Sequence, residues 1–489
     1  MRYAPDGDKS NPELLYQISN LYSNNNGALT RTPALVAATT TALTTGRVLG
    51  SGIVKNLAGT AKLYAGSTTK VYQANGTGGW TDRSGAVTFA ATVWDFCAFG
   101  DSVIAANGAS KVQAATTGNF ADIAQAPTGA KIVFPHANAL VALNTTADGA
   151  AWHRSVSGSS STWTPAANND ADTGTLYGGI GGPIVAGGPW ENLALAWKAR
   201  SMYAARYVGA SDPDQPVLDW QIVSTDVGCV SQFAHVSTEV GEVFVSERGI
   251  MLFNGNKPYN IDDDIRKTFM AEAMPNRSRI FCTLDEGNNQ VYVWISPSGT
   301  DYCGQAYIWN YKTGLWGHLT DLSDKTALTI GLPRTPVRNA NYQDLVAIGG
   351  FATNDQENAN LFFEHTGDYL LALTGAVWLV NDGEILIRSG FLGRYEVDST
   401  ITRIHVISDA FTSLSSLVCN VYMYTSDKLV VTSTGSISLT NGAYFDVHKT
   451  ARYFELQISS TASTTSLPIQ RVVVEFYDVQ TKKTSSLEL

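Results

Sequence analysis

The chain has 489 residues, which is more than one ordinary core organises, so two or three domains or one large repeat-built domain are expected. Charged residues make up only 16% of the chain, and 33 basic against 43 acidic residues give a net charge of −10. No Lys/Arg run appears, which disfavours a protein that grips nucleic acid through its phosphates. The 44 glycines favour short strands and turns over long exposed helices.

Residues 1–45 are predicted to form an N-terminal arm, because they are rich in Asn, Thr and Ser and carry three prolines. Asn11 as an N-cap and Pro12 at the first helical position predict a short helix over Pro12–Leu21. The run Asn24–Gly27 predicts a turn. An arm of this kind is expected to add a strand or a staple to a neighbouring subunit.

Residues 46–372 alternate short apolar runs with turns that contain Gly, Asn, Asp and Ser. The runs, such as Ala61–Ala65, Val103–Ala106 and Val291–Ile295, are rich in residues that pack well on a pleated surface. Helical periodicity is scarce here, and Asp263–Met274 is the best helix candidate. The fold class predicted from this region is therefore all-β.

A degenerate repeat runs through the same region. Leu63–Asn75, Val103–Thr116 and Val243–Gly255 each read as a strand, a small turn and a second strand. The first two copies begin about 40 residues apart, which is the usual period of a four-stranded propeller blade. A tryptophan after a turn also recurs, at Trp80, Trp163, Trp220 and Trp316. These patterns predict a β-propeller of degenerate blades with tryptophans wedged between them; a multi-sheet sandwich is the main alternative.

Residues 373–489 read as strands with cleaner alternation and without the repeat. The alternating segments are Thr402–Ser408, Val418–Tyr424, Tyr453–Ser459 and Arg471–Tyr477. They predict an additional C-terminal β domain, a sandwich or an edge-joining platform.

The five cysteines are widely spaced and form no CxxC pair, so we expect reduced, mostly buried thiols, with a Cys282–Cys303 disulfide as the less favoured reading. The first residues lack the apolar region of a signal peptide, and no stretch approaches the roughly 18 apolar residues of a membrane span. A secreted or membrane protein is therefore not expected.

The search for chemistry predicts no catalytic, metal or cofactor site, and hence a protein that is not an enzyme. The seven histidines form no zinc motif, and no serine-nucleophile motif occurs. Gly178–Gly188 lacks the Lys-Ser/Thr of a phosphate loop and is predicted to be a flexible loop. Thr146–Trp152 resembles a damaged Asp-box, which is a folding turn. In the run Asp262–Asp264, Asp262 or Asp263 is expected to cap a helix.

Several segments carry a family resemblance. In Gly228–Ile265 a strand ends in a Gly-Ile-x-x-Phe-x-Gly turn and leads to an Ile-Asp-x-x-Ile helix start. Asn289–Ser296, Ala306–Trp316 and Ala451–Ser459 continue the likeness, and Pro12–Pro33 shares it loosely, with Arg-Thr-Pro-Ala in place of an Arg-Pro-Gly element. These segments resemble the nozzle proteins of short-tailed bacteriophages, also known as tail tubular or packaged-DNA stabilisation proteins.

The resemblance implies a structural virion protein: a β-propeller with added β domains. Six copies are expected to form a ring below the portal and its ring-shaped adaptor. Genomic DNA would pass through the central channel without sequence-specific binding, and fibres, spikes or a tail-tip plug would dock outside. The location implied is the virion tail, after assembly in the host cytoplasm, and no small-molecule substrate or cofactor is implied. An acidic channel would repel phosphates evenly and let DNA slide.

Residues that face the channel or the next ring are expected in acidic or long loops. The candidates are Asp262, Asp263 and Asp264, the loop Asp212–Gln215 with Asp212 and Asp214, and the loop Asn354–Asn358 with Asn354 and Asp355. Two other functions stay open at this point. One is a carbohydrate-binding or carbohydrate-cleaving propeller for receptor recognition, which needs acids and aromatics in one pocket. The other is a monomeric cellular propeller that binds peptides.

Overall fold

A computed structural model shows an almost entirely β protein. It describes residues 2–488 except 10, 12, 33–34, 38–47, 58, 76–78, 180, 210–215, 297–302, 304, 321–325, 330–336, 339–343, 353–358, 365–384, 393–397, 409–416, 426–429, 439–443, 461–468 and 479–483. The predicted boundaries between arm, propeller and C-terminal domain, at 45/46 and 372/373, lie outside these residues.

Five short strands open the chain: β1 (Arg2–Tyr3), β2 (Leu14–Ser19), β3 (Leu21–Ser23), β4 (Leu29–Arg31) and β5 (Leu35–Ala37). The predicted helix over Pro12–Leu21 is therefore wrong. Strand β2 pairs with residues 386–389, far along the chain, and its apolar Leu15 and Ile18 are buried. This pairing overrides the local capping signal, because burial of the apolar side chains contributes more than a cap.

Three four-stranded antiparallel sheets follow and form blades one to three. Blade one comprises β6 (Gly50–Lys55), β7 (Ala61–Gly66), β8 (Val71–Ala74) and β9 (Trp80–Asp82). Blade two comprises β10 (Asp95–Phe99), β11 (Ser102–Ala106), β12 (Gln113–Ala115) and β13 (Ala121–Asp122). Blade three comprises β14 (Ile132–His136), β15 (Ala139–Leu143), β16 (Ala151–Arg154) and β17 (Asp172–Thr175).

Blade four comprises β18 (Ile184–Trp190), β19 (Leu193–Lys198), β20 (Met202–Tyr207) and β21 (Leu218–Ser224). Blade five comprises β22 (His235–Thr238), β23 (Gly241–Ser246), β24 (Gly249–Phe253) and β25 (Tyr259–Asn260). The helix α1 (Arg266–Ala273) and a 3₁₀ turn (Met274–Arg279) lead to blade six, with β26 (Phe281–Asp285), β27 (Gln290–Ile295), β28 (Gln305–Asn310) and β29 (Trp316–Leu319). The predicted helix over Asp263–Met274 is confirmed in a shorter form. The loop predicted over Gly178–Gly188 is shorter than expected, because β18 begins at Ile184.

A seventh sheet completes the ring. Its strands are β30 (Thr326–Thr329), β31 (Val337–Arg338), β32 (Asp344–Ala352) and β33 (Ala359–Glu364), together with β5 from the N-terminal segment. Strand β32 contacts β26 of blade six and β6 of blade one. The described residues therefore form seven blades, and the N-terminal strand closes the last one.

The predicted repeat is confirmed as the second and third strands of blades. Its three copies correspond to β7 and β8, β11 and β12, and β23 and β24. The recurrent tryptophans are less regular, because Trp80, Trp220 and Trp316 lie on fourth strands whereas Trp163 lies in a connection and packs between blades two and three. A wedge that the pattern missed is Trp94, whose buried ring fills the space over Gly66, where a Cβ would lie 2.1 Å from the ring.

The remaining strands form a β-sandwich, as predicted. They are β34 (Ile385–Ser389), β35 (Ser399–Ser408), β36 (Val418–Tyr424), β37 (Val430–Ser433), β38 (Ile437–Ser438), β39 (Tyr444–Ala451), β40 (Tyr453–Ser460), β41 (Ile469–Asp478) and β42 (Thr484–Glu488). One sheet has the order β1-β2-β34-β40-β36-β37, and the other contains β41, β35, β39 and β42. Ile404, Val421 and Phe445 are fully buried in the shared core.

The N-terminal segment joins propeller and sandwich. Strand β3 pairs with β29 of blade six and β4 pairs with β41, so one ten-stranded sheet runs from the propeller into the sandwich. Asn20, at a φ of 57°, accepts the Thr320 amide with its side-chain oxygen at 3.1 Å and the Thr32 amide with its carbonyl at 2.9 Å. The segment is thus built into its own chain rather than extended as a free arm.

Candidate functional site

Asp262 is a buried structural carboxylate, and the expectation that it faces a channel or a neighbouring ring is wrong. Its side chain is fully buried. It accepts the Ile250 amide at 2.8 Å and the Arg266 Nε–H at 3.0 Å, and burial raises its pKa. Asp262 therefore ties the third strand of blade five to the start of α1.

The other two acids of the run differ from it and from each other. Asp263 has an 81% exposed side chain that contacts Arg266, so it is the acid that faces solvent. Asp264 is largely covered and pairs with Arg2. Neither Asp262 nor Asp263 caps α1, whose N-cap residue is Ile265. The cap comes instead from Asp6, whose carboxylate accepts the Lys267 and Thr268 amides and the Thr268 hydroxyl.

The remaining predicted site residues, Asp212, Asp214, Asn354 and Asp355, lie outside the described residues. Asp212 and Asp214 fall between β20 and β21 of blade four, and Asn354 and Asp355 fall between β32 and β33 of blade seven. The two loops therefore belong to different blades of the propeller.

Buried titratable groups at the junction of propeller and sandwich were not singled out from the sequence. Tyr3 from β1 stacks on His318 of blade six, and Tyr307 stacks on the same ring with the two centroids 4.5 Å apart. Burial lowers the pKa of His318 to about 4, so the ring is neutral near pH 7. The Tyr307 hydroxyl donates to Glu272 of α1 at 2.6 Å. These contacts hold the N-terminal segment, α1 and blade six together.

Within the described residues, no three His, Cys, Asp or Glu side chains are grouped as a metal site would require. All five cysteines are described, and none forms a disulfide; four are buried. The folding turn predicted over Thr146–Trp152 is confirmed. Asp148 accepts the Ala150 amide and the Thr175 hydroxyl, each at 2.8 Å. No helix in the described part of the chain is long and apolar enough to span a membrane.

One end of the propeller axis opens into a cavity of about 420 Å³. Segments that lead into the first strands of blades one, two, three, five and six line it, including Leu49, Val93, Lys131, Phe233 and Ile280. Gln232 closes part of it by donating to the Lys131 carbonyl at 2.7 Å. A cavity of this size is far too small to admit a DNA duplex.

Two exposed apolar side chains lie close together at the outer edge of blade four, here called the blade-four strip: Tyr177 and Ile222 of β21, whose Cδ1 lies 3.1 Å from where a Cβ of the adjacent Gly178 would stand. Tyr177 is 79% exposed and Ile222 is 43% exposed. Strand β21 pairs only with β20 among the described residues, so its other edge is open. Exposed apolar groups beside an open strand edge are typical of a protein interface. This strip is the candidate interaction surface of the molecule.

The fold and this surface define the protein as a β-propeller with an attached β-sandwich. No family model matches the chain, and no curated protein matches it. Among solved structures it is similar to a streptogramin B lyase (TM-score 0.44, 10% identity, covering 66% of this chain and 96% of that one). It is also similar to a chain of the mitotic checkpoint complex (0.41, 10%, 65% and 91%) and to BamB from Moraxella catarrhalis (0.39, 13%, 65% and 85%).

Proposed function

We propose that this chain is a structural protein of a short phage tail, the subunit of a nozzle ring through which DNA is retained and released. It performs no catalysis and needs no cofactor in this role. The ring sits below the portal and its adaptor, and fibres, spikes or a plug dock on its outside. A carbohydrate-binding or carbohydrate-cleaving propeller used in receptor recognition is the alternative.

The observation that carries this proposal is that the segments resembling nozzle proteins pack into one core. Those segments are scattered over the chain from residue 12 to residue 459, yet all of them contribute to one hydrophobic core. Their buried representatives are Leu21, Val243, Val293, Trp316 and Leu456. This supports the proposal, because the segments belong to one continuous unit of propeller and sandwich, which is the architecture that the family resemblance implies.

Ring formation requires two different surfaces on each subunit, since a closed ring of more than two copies uses heterologous contacts. The blade-four strip supplies one of them. The DNA channel then lies at the centre of the ring rather than along the propeller axis, whose cavity is too small. With a net charge of −10, the subunits repel phosphates, which suits a channel that lets DNA slide.

The location of the chain in the particle tests this proposal. In virions made from the genome that encodes the chain, we expect gold-labelled antibodies against it to mark the distal end of the tail in electron micrographs. Antibodies against the major capsid protein serve as the control and should mark the head. Absence of the chain from purified particles, or label restricted to the fibres, would exclude a nozzle role.

A further inference from the structure

A second cleft, of about 540 Å³, lies between blades three and four at the opposite end of the propeller from the axial cavity. Its walls are the turn between β14 and β15, the turn between β18 and β19, and the end of β20. The His136 Nε2–H donates to the Asn192 carbonyl at 3.0 Å and joins the two turns. Burial lowers the pKa of His136 and so favours the neutral ring, and the Nε2–H that bonds to Asn192 is available in the protonated ring as well.

Each of the two turns has a residue other than Gly or Asn at a position where the backbone φ is positive. Each is a two-residue hairpin turn, since His136 pairs with Ala139 and Trp190 pairs with Leu193. Ala137 has a φ of 45° and Glu191 a φ of 50°, where Gly or Asn is normally found. Such residues cost folding stability and persist mainly where they serve a function. At Glu191, the strain keeps a carboxylate at the rim of the cleft.

The third wall presents a fixed aromatic ring. Tyr207 is 41% exposed. The fully buried Arg154 lies over its ring, with the guanidinium carbon 4.7 Å from the centroid, and the Tyr207 hydroxyl donates to Asp170 at 3.2 Å. A ring held in this way loses little conformational entropy when a ligand stacks on it.

The polar groups of the cleft include both donors and acceptors. Glu191 supplies a carboxylate and Arg206 a guanidinium, and within the described residues neither side chain forms a hydrogen bond or ion pair with the protein. A carboxylate and a guanidinium beside an exposed tyrosine suit adjacent hydroxyl groups on a ring with an apolar C–H face. An anionic ligand is disfavoured by Glu191 and by the net charge of −10.

We propose that this cleft binds a neutral hexopyranose unit of a glycan, with the sugar stacked on Tyr207 and its hydroxyls bonded to Glu191 and Arg206. The volume is adequate for one or two sugar units, since small-molecule sites span roughly 300 to 1,000 Å³. His136 is a positioning residue that holds the two turns at the correct separation. The site does not depend on ring formation and is present in the isolated chain.

Saturation-transfer NMR with glucose, galactose, mannose and N-acetylglucosamine, followed by titration of the best ligand, tests the assignment. Glu191→Gly should weaken binding at least tenfold and raise the Tm by about 1 to 3 °C, because glycine removes the backbone strain. Tyr207→Ala, which removes the stacking ring, should also weaken binding at least tenfold. Glu239→Gly is the matched control, since Glu239 occupies the corresponding turn of blade five with an ordinary φ; it should lower the Tm and leave binding unchanged.

Failure of all four sugars to bind the wild-type chain would overturn the proposal, as would binding that Glu191→Gly leaves intact. Capture of a peptide from a random library in a Glu191-dependent manner, without sugar binding, would reassign the cleft to a protein partner. None of these results bears on the location of the chain in the virion, so they are distinguishable from a failure of the nozzle proposal.

Discussion

Asp170→Ala is expected to lower the free energy of unfolding by about 3 kcal/mol, because it leaves a buried charge without its partner. The Arg154 side chain is fully buried, and its Nη1 lies 3.0 Å from Asp170 Oδ2. Arg154 also donates to the Ala137 carbonyl at 3.2 Å, so the same pair supports the strained turn of blade three. Urea denaturation followed by tryptophan fluorescence measures the loss.

The control is Asp446→Ala, which removes the carboxylate from the Arg403–Asp446 pair. That pair has the same 3.0 Å separation, but its side chains are 46% and 35% exposed. An exposed pair contributes at most about 1 kcal/mol, so this variant should remain close to wild type. Equal losses in the two variants would contradict the structural account of Arg154.

The same pair predicts an acid dependence. Partial burial raises the pKa of Asp170, but hydrogen bonds from Ser157 and the charge of Arg154 outweigh it and lower that pKa to about 2. A carboxylate whose folded pKa lies below its unfolded value of about 4 stabilises the protein above that value and loses this contribution as the pH falls towards 2. The stability of wild type should therefore fall more steeply than that of Asp170→Ala between about pH 4 and pH 2.

The second large effect is expected for Gly317→Val in β29. Gly317 faces β3 so closely that a Cβ would lie 2.6 Å from Tyr22 Cα and 2.7 Å from the Leu21 carbonyl oxygen. Because both contacts are with backbone, the strands must separate, at a cost of about 3 kcal/mol. Separation opens the sheet that joins blade six to the sandwich.

Hydrogen exchange shows where Gly317→Val acts. The Thr32 and Thr320 amides, both bonded to Asn20, should lose protection, while amides of blades one to three keep it. Gly118→Val is the control, since a Cβ at Gly118 meets no atom within 4 Å. Wild-type protection at Thr32 and Thr320 in the Gly317 variant would show that β3 is not held as the structure indicates.

The sequence predicted the fold class and the sandwich because these depend on local patterns. Strand alternation and the hairpin repeat of Leu63–Asn75 and Val243–Gly255 are visible within one blade. The β2 strand was mistaken for a helix because its partner, β34, lies more than 350 residues away. The closure of blade seven by β5 is likewise a pairing between distant segments that no local pattern carries.

The roles predicted for the site residues were less accurate, because their partners also lie far away in the sequence. From the sequence, Asp262 is predicted to be a surface acid or a helix cap. Only the folded chain shows that its carboxylate accepts the Ile250 amide. The cap of α1 comes from Asp6, about 260 residues earlier. The hairpin turns that hold Ala137 and Glu191 were not predicted, and they meet across two blades only because the propeller closes.

The mass of the chain by light scattering, alone and with the portal–adaptor complex from the same genome, tests the nozzle proposal most directly. We expect a monomer that assembles into a ring of about six copies on that complex. Ile222→Lys, which places a charge in the blade-four strip, should remain monomeric, whereas Leu57→Lys, at a more exposed apolar site of blade one, should assemble. A wild-type chain that stays monomeric beside the complex would contradict the proposal.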